Sequence, residues 1–152
     1  MTHMTGGVIT MIKARDRLKQ IYRLDMKMKR SKHQLEDIKQ KMYTISAPQL
    51  DADRVKTSAS GDDKLLKLIA SVERIERRIR RETEKLIREY NAIVQEIERV
   101  PDERARTILM DRYVFYMRWE EIADQLGYVV GHIYRLHQQA VREFAKVNNY
   151  EY

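Results

Sequence analysis

The chain contains no cysteine, which excludes a disulfide framework and any thiolate metal site. Two prolines and five glycines in 152 residues exclude a loop-rich or collagen-like architecture. Strand-like alternation is scarce. No apolar run approaches the roughly 20 residues that a membrane-spanning helix needs, so no membrane partner is expected. No glycine-rich loop of the kind that cradles phosphates occurs. The opening Met-Thr-His-Met-Thr-Gly-Gly lacks the charged-then-apolar layout of a signal peptide, and a cytoplasmic location is the expectation. Met11 offers a second start, which makes residues 1–11 a disordered leader.

What remains is 43% hydrophobic and 35% charged, a mixture that favours exposed helices and predicts an all-α fold. The net charge of +7 is unevenly spread. Residues 1–42 hold 11 Lys/Arg against 4 Asp/Glu, residues 43–101 hold 12 against 11, and residues 102–152 hold 7 against 8. Excess positive charge implies a polyanionic partner through counterion release, yet here it lies at the start of the chain.

Helical periodicity organises the sequence into parts. Leu18, Ile21, Leu24, Met28, Leu35, Ile38 and Met42 recur at mostly three-to-four-residue spacing, predicting one helix from about Ile12 to Met42. Pro48 follows shortly, and residues 44–63 read as a loop whose Asp62 or Asp63 caps the next helix. That helix, from about Lys64 to Arg99, carries Leu65, Leu68, Val72, Ile75, Ile79, Thr83, Leu86, Tyr90, Ile93 and Ile97 on one stripe. A stripe this narrow needs a partner helix. Two arrangements satisfy it: a coiled-coil-like antiparallel hairpin over residues 12–99, or a homodimer through the long helices.

Pro101-Asp102-Glu103 opens a new unit, since proline suits a first helical turn and acids favour the positive end of the helix dipole. A helix over about Asp102–Val114 presents Ala105, Ile108, Leu109 and Tyr113. A short helix, Trp119–Leu126, carries Ile122, Ala123 and Leu126 on one face, and Gly127 stops it. A last helix shows Ile133, Leu136, Ala140, Val141 and Phe144 at helical spacing, before a frayed tail at 148–152. Two short helices around a glycine turn make a helix-turn-helix, whose second helix can enter a DNA major groove.

Pro101-Asp-Glu-Arg, Leu109 to Tyr113, Trp119-Glu-Glu-Ile-Ala, Leu126-Gly-Tyr and Ile133-Tyr-Arg-Leu-His resemble a family of small phage and prophage proteins. These join an N-terminal helical hairpin to a module like region 4 of sigma-70 factors, and are related to ArpU-like late transcriptional regulators. Asp53-Arg-Val-Lys-Thr-Ser and Asp62-Asp63-Lys64 also resemble the segment between their first two helices. The resemblance implies a helix-turn-helix domain over 101–147, double-stranded DNA as partner, RNA polymerase or a second copy meeting the hairpin, and a bacterial host cell.

Carried over by position, it makes residues 130–147 the recognition helix and places Val130, His132, Tyr134 and Arg135 at base edges, with Gln138 one turn later. Arg118, Arg112 and Arg142 become phosphate contacts. Arg135 is the strongest candidate for base readout, because a guanidinium can pair bidentately with guanine. This chain departs from the family pattern at Val129, which stands where a small hydroxyl residue usually caps the recognition helix. Phe115-Tyr-Met-Arg likewise replaces a glycine-containing turn ending in Thr.

Two other readings compete: a DNA-packaging adaptor resembling a small terminase subunit, and a helical protein-interaction module without DNA binding. Enzyme chemistry has no support in the residues. His132 and His137 are five apart and fall on different faces, unlike zinc-binding pairs four apart. No nucleophile, base and orienting acid can be nominated, and neither a cofactor nor a metal is expected.

Overall fold

The computed structural model describes residues 13–47 and 59–152. The proposed leader and most of the proposed loop lie outside the described residues. The protein is all-α, with helices α1 (Ala14–Leu18), α2 (Gln20–Ser46), α3 (Ala59–Glu98), α4 (Glu103–Leu109), α5 (Trp119–Leu126) and α6 (Val130–Asn148). A π-helical turn, Met110–Val114, follows α4. Among the described residues the only β pairing is an isolated bridge between Lys13 and Glu151.

Several boundaries differ from the sequence expectation. The first helix is interrupted at Lys19 (φ −75°, ψ −6°), which separates α1 from α2 although its N–H donates to the Arg15 carbonyl and its carbonyl accepts from Arg23, both at 3.1 Å. Helix α3 begins at Ala59, several residues ahead of the Asp62 or Asp63 cap proposed from sequence, and Asp62 instead sits in its first turn. Asp102 lies outside α4 and caps it, accepting the Ala105 N–H at 3.0 Å. The helix then widens at Met110, where the Phe115 N–H donates to the Met110 carbonyl at 3.0 Å, five residues back.

The chain divides into two compact units, one built from the described residues up to Arg23 with Arg88–Tyr152, the other from those of Leu24–Ile87. Within the second unit, α2 and α3 run antiparallel. Thr83 donates to Met28 Sδ at 3.2 Å, Arg78 to Gln34 at 3.3 Å, and Lys39 meets Glu76 at 3.9 Å. The seam uses the predicted apolar positions, but only Leu24 and Ile75 among the hydrophobic residues of this unit are buried. A seam between two helices leaves most such side chains half-covered.

The first unit holds the larger core. Ala14, Leu18 and Ile21 pack in it with Ile93, Ile97, Val100, Leu109, Val141 and Phe144, all buried. Arg17 fixes the register of α1 on α3, its Nε and Nη2 donating to the two Glu96 carboxylate oxygens at 3.0 and 2.8 Å, with Glu89 as a further partner. Those acids, rather than any solvent effect, raise its pKa; Glu96 contributes most. The residues after α6, read from sequence as frayed, carry contacts of their own. Asn149 turns the chain at φ 56°, Tyr150 stacks on Phe144 at 5.7 Å, and Glu151 O accepts the Ala14 N–H at 2.7 Å.

Candidate nucleic-acid interface

Helices α5 and α6 are joined as the sequence predicts. Gly127 closes α5 in the left-handed conformation at φ 71°, where a Cβ is strained and glycine is not. The Tyr128 N–H then reaches back to the Ala123 carbonyl at 2.9 Å. The start of α5 is capped by Glu121, whose carboxylate accepts the Arg118 N–H at 2.7 Å. That bond holds the Glu121 carboxyl below its ordinary pKa, with the charge of Arg118 assisting. Arg118 itself has no acceptor to offer, so the cap is one-sided. Val129 precedes α6 in extended backbone without a side-chain cap.

The two helices and α4 share one core. Ile108, Ile122, Ala123 and Ile133 are buried at its centre, with Trp119, Leu126, Tyr128 and Leu136 packed around them. Val130 is half-buried against this cluster, so it belongs to the packing and not to the outer surface of α6. His132 is half-buried, with its ring edge-on to Tyr128 at 4.8 Å. Tyr134, Arg135 and Gln138 are exposed, and the helical repeat places them on one side of α6. Tyr134 leans on Trp119 at 5.3 Å. Among the described residues Arg135 has no ion-pair partner.

The three arginines assigned to phosphates differ from one another. Arg118 is exposed and lies 3.3 Å from a Glu121 oxygen. Arg142 is exposed, with its guanidinium 5.1 Å from the Tyr152 ring. Arg112 is half-buried: it donates to the Met117 carbonyl at 2.9 Å and sits 4.4 Å from the Trp119 ring. It therefore braces the turn before α5. Glu120, Glu121 and Asp124 are exposed on α5.

His137 carries a role the sequence did not reveal. The two histidines do face differently, and His137 is buried, with Nε2 at 2.8 Å from the Tyr113 hydroxyl and its ring 4.7 Å from Trp119. Burial first, then the charges of Arg15, Arg112 and Lys19, push the imidazole down to about 4. It is neutral at physiological pH. Burial likewise raises the Tyr113 hydroxyl, against the opposing pull of Arg15 and Arg112. Five-residue spacing from His132 carried no hint of this pairing, because Tyr113 comes from a different element.

Among the described residues, no three His, Cys, Asp or Glu side chains gather to hold a metal ion, and no helix is long and apolar enough to cross a membrane.

The geometry thus defines an all-α protein in which α5 and α6 are joined by a glycine-stopped turn and α6 has an exposed polar face. Residues 44–145 match the family model described as "Protein of unknown function (DUF1492)", more than half of the chain, and the protein belongs to that family. No curated protein and no solved structure matches it.

Proposed function

We propose that this protein is a phage-type, sequence-specific regulator of transcription that docks α6 in the major groove of duplex DNA, in the manner of region 4 of sigma-70 factors. The observation that carries this reading is the exposed trio Tyr134, Arg135 and Gln138 on a helix held by a glycine-stopped turn. Arg135 reads a base edge, while Arg118 and Arg142 contact phosphates. Arg112 acts indirectly, through the turn that it braces. The long helices α2 and α3 supply a second contact, to another copy of the chain or to RNA polymerase.

Fluorescence anisotropy with duplexes from the protein's own genomic neighbourhood tests this, with random duplex as competitor. Tight binding that survives the competitor and weakens in Arg135→Ala by about 1–3 kcal/mol is the expected result, the value of one good base contact. Binding that collapses with salt and ignores the substitution reports phosphate attraction alone, and sinks the proposal of base readout.

A further inference from the structure

A cleft of about 580 Å³ opens within the first unit, between residues of α1 and α2 and the segment that leads into α5. Its walls combine three cations, Arg15, Lys19 and Arg112, with four aromatic rings, Tyr22, Tyr113, Tyr116 and Trp119, and the imidazole of His137. No carboxylate lines it, and none of the three cations forms an ion pair among the described residues. Its size falls within the roughly 300–1,000 Å³ of small-molecule sites.

From this juxtaposition we infer that the cleft binds a free nucleotide, its base against the rings of Tyr22, Tyr116 and Trp119 and its phosphate at Arg15 and Lys19.

Each half of the lining selects one half of that ligand. Three cations without a counter-ion favour an anion, and phosphate chemistry suits a guanidinium fork beside an ammonium. A bare anion site has no use for so many aromatic rings, whereas every base has a face that can stack on them. Tyr22 and Tyr116 stand edge-on to each other at 5.5 Å. Arg112 is already stacked on Trp119, so it stiffens that wall as well as adding charge. His137 also lines the cleft and is neutral at physiological pH, so it adds no positive charge to that of Arg15, Lys19 and Arg112.

The backbone adds an independent sign. Tyr116 sits at φ 58°, in the left-handed region that glycine adopts freely and a bulky side chain adopts at a cost. A glycine here would relieve the strain and remove the ring. The chain keeps a tyrosine, 38% exposed, at the edge of the cleft. The inference stands whether or not α6 reads DNA, since none of the cleft residues is among Tyr134, Arg135 and Gln138.

The chain has one tryptophan, and it lines the cleft. Titration of the full chain with AMP and GMP, followed by Trp119 fluorescence and by calorimetry, is therefore a direct test. Saturable binding by both readouts is expected, with adenosine and inorganic phosphate each at least about tenfold weaker, a difference of 1.4 kcal/mol. Lys19→Ala should weaken binding by a similar factor. Tyr116→Gly should weaken it about fivefold or more, the lower end of base–aromatic stacking, with the helical circular dichroism of the parent retained. A merely structural tyrosine would leave the affinity unchanged.

Short single-stranded DNA in the same titration identifies the source of the nucleotide. A strand that binds about tenfold tighter than the mononucleotides overturns the assignment to a free nucleotide. No saturable signal by either readout overturns the site, as does phosphate binding as tightly as AMP. Parent-like affinity in both variants has the same consequence.

Discussion

The Tyr113 hydroxyl lies 2.8 Å from His137 Nε2, and both side chains are buried beneath the start of α5. Because the imidazole is held at about 4 in the fold against an ordinary 6.5, the unfolded chain binds a proton more readily between those values. The contribution is fully present above pH 6.5 and is lost as acid is added toward pH 4, at up to about 1.4 kcal/mol per pH unit. Asp111, raised by burial, works in the other direction, so the comparison must be between the parent and His137→Gln. Denaturant unfolding across this range should give a flatter pH profile for the variant. Equal slopes would show that His137 does not carry the effect.

Arg17 binds both oxygens of Glu96 from a half-buried position, and its removal leaves that carboxylate without its main partner. Arg17→Ala should cost about 1.5–3 kcal/mol, as losing hydrogen bonds to a charged group does, read as a drop in the thermal midpoint. Arg17→Lys should recover little of the loss, because an ammonium cannot reproduce the two-pronged contact.

Glu82 is buried in the α2–α3 seam, neither carboxylate oxygen has a hydrogen bond, and Lys27 Nζ approaches only to 3.8 Å. Desolvating a carboxylate on those terms is costly. Glu82→Met, similar in length and apolar, should stabilise the hairpin by about 1–4 kcal/mol. A fall in the melting temperature would show that surrounding cations already compensate the charge.

Val129 occupies the N-cap of α6 in extended backbone and is 73% exposed. Val129→Ser adds an acceptor for the orphan N–H groups of the first turn and should contribute about 1 kcal/mol. Thermal unfolding measures this, and an unchanged midpoint would mean that water already satisfies those donors.

Periodicity made α2, α3 and α6 legible, because a stripe repeated over many turns outweighs any single residue. Gly127 was legible for another reason: a glycine directly after an apolar face marks a left-handed stop. The interruption at Lys19 and the π-helical turn after Leu109 were not. Neither involves a proline or glycine, and each arises where the helix meets the unit's core. Apolar Val130, one residue inside α6, reads equally well as surface or as packing until Ile108 and Ile122 are placed beside it. The exposed positions Tyr134, Arg135 and Gln138 follow directly from the helical repeat, whereas the Tyr113–His137 pair needs two elements to meet. Tyr116 is the opposite case to Gly127, since a left-handed tyrosine carries no sequence signature.

The bond from the Ala14 N–H to the Glu151 carbonyl joins positions with almost the whole sequence between them. Loop closure over such a span is slow compared with pairing of neighbouring helices. On the ribosome, Leu18 and Ile21 emerge long before Phe144 and Val141 exist to cover them. The first unit must therefore wait for synthesis of α6, with the early apolar turns exposed in the interval, while the α2–α3 seam has all its residues much sooner. Cutting out residues 101–152 as a separate domain removes α1 from this core, leaving the buried surface of Phe144 and Val141 without part of its cover.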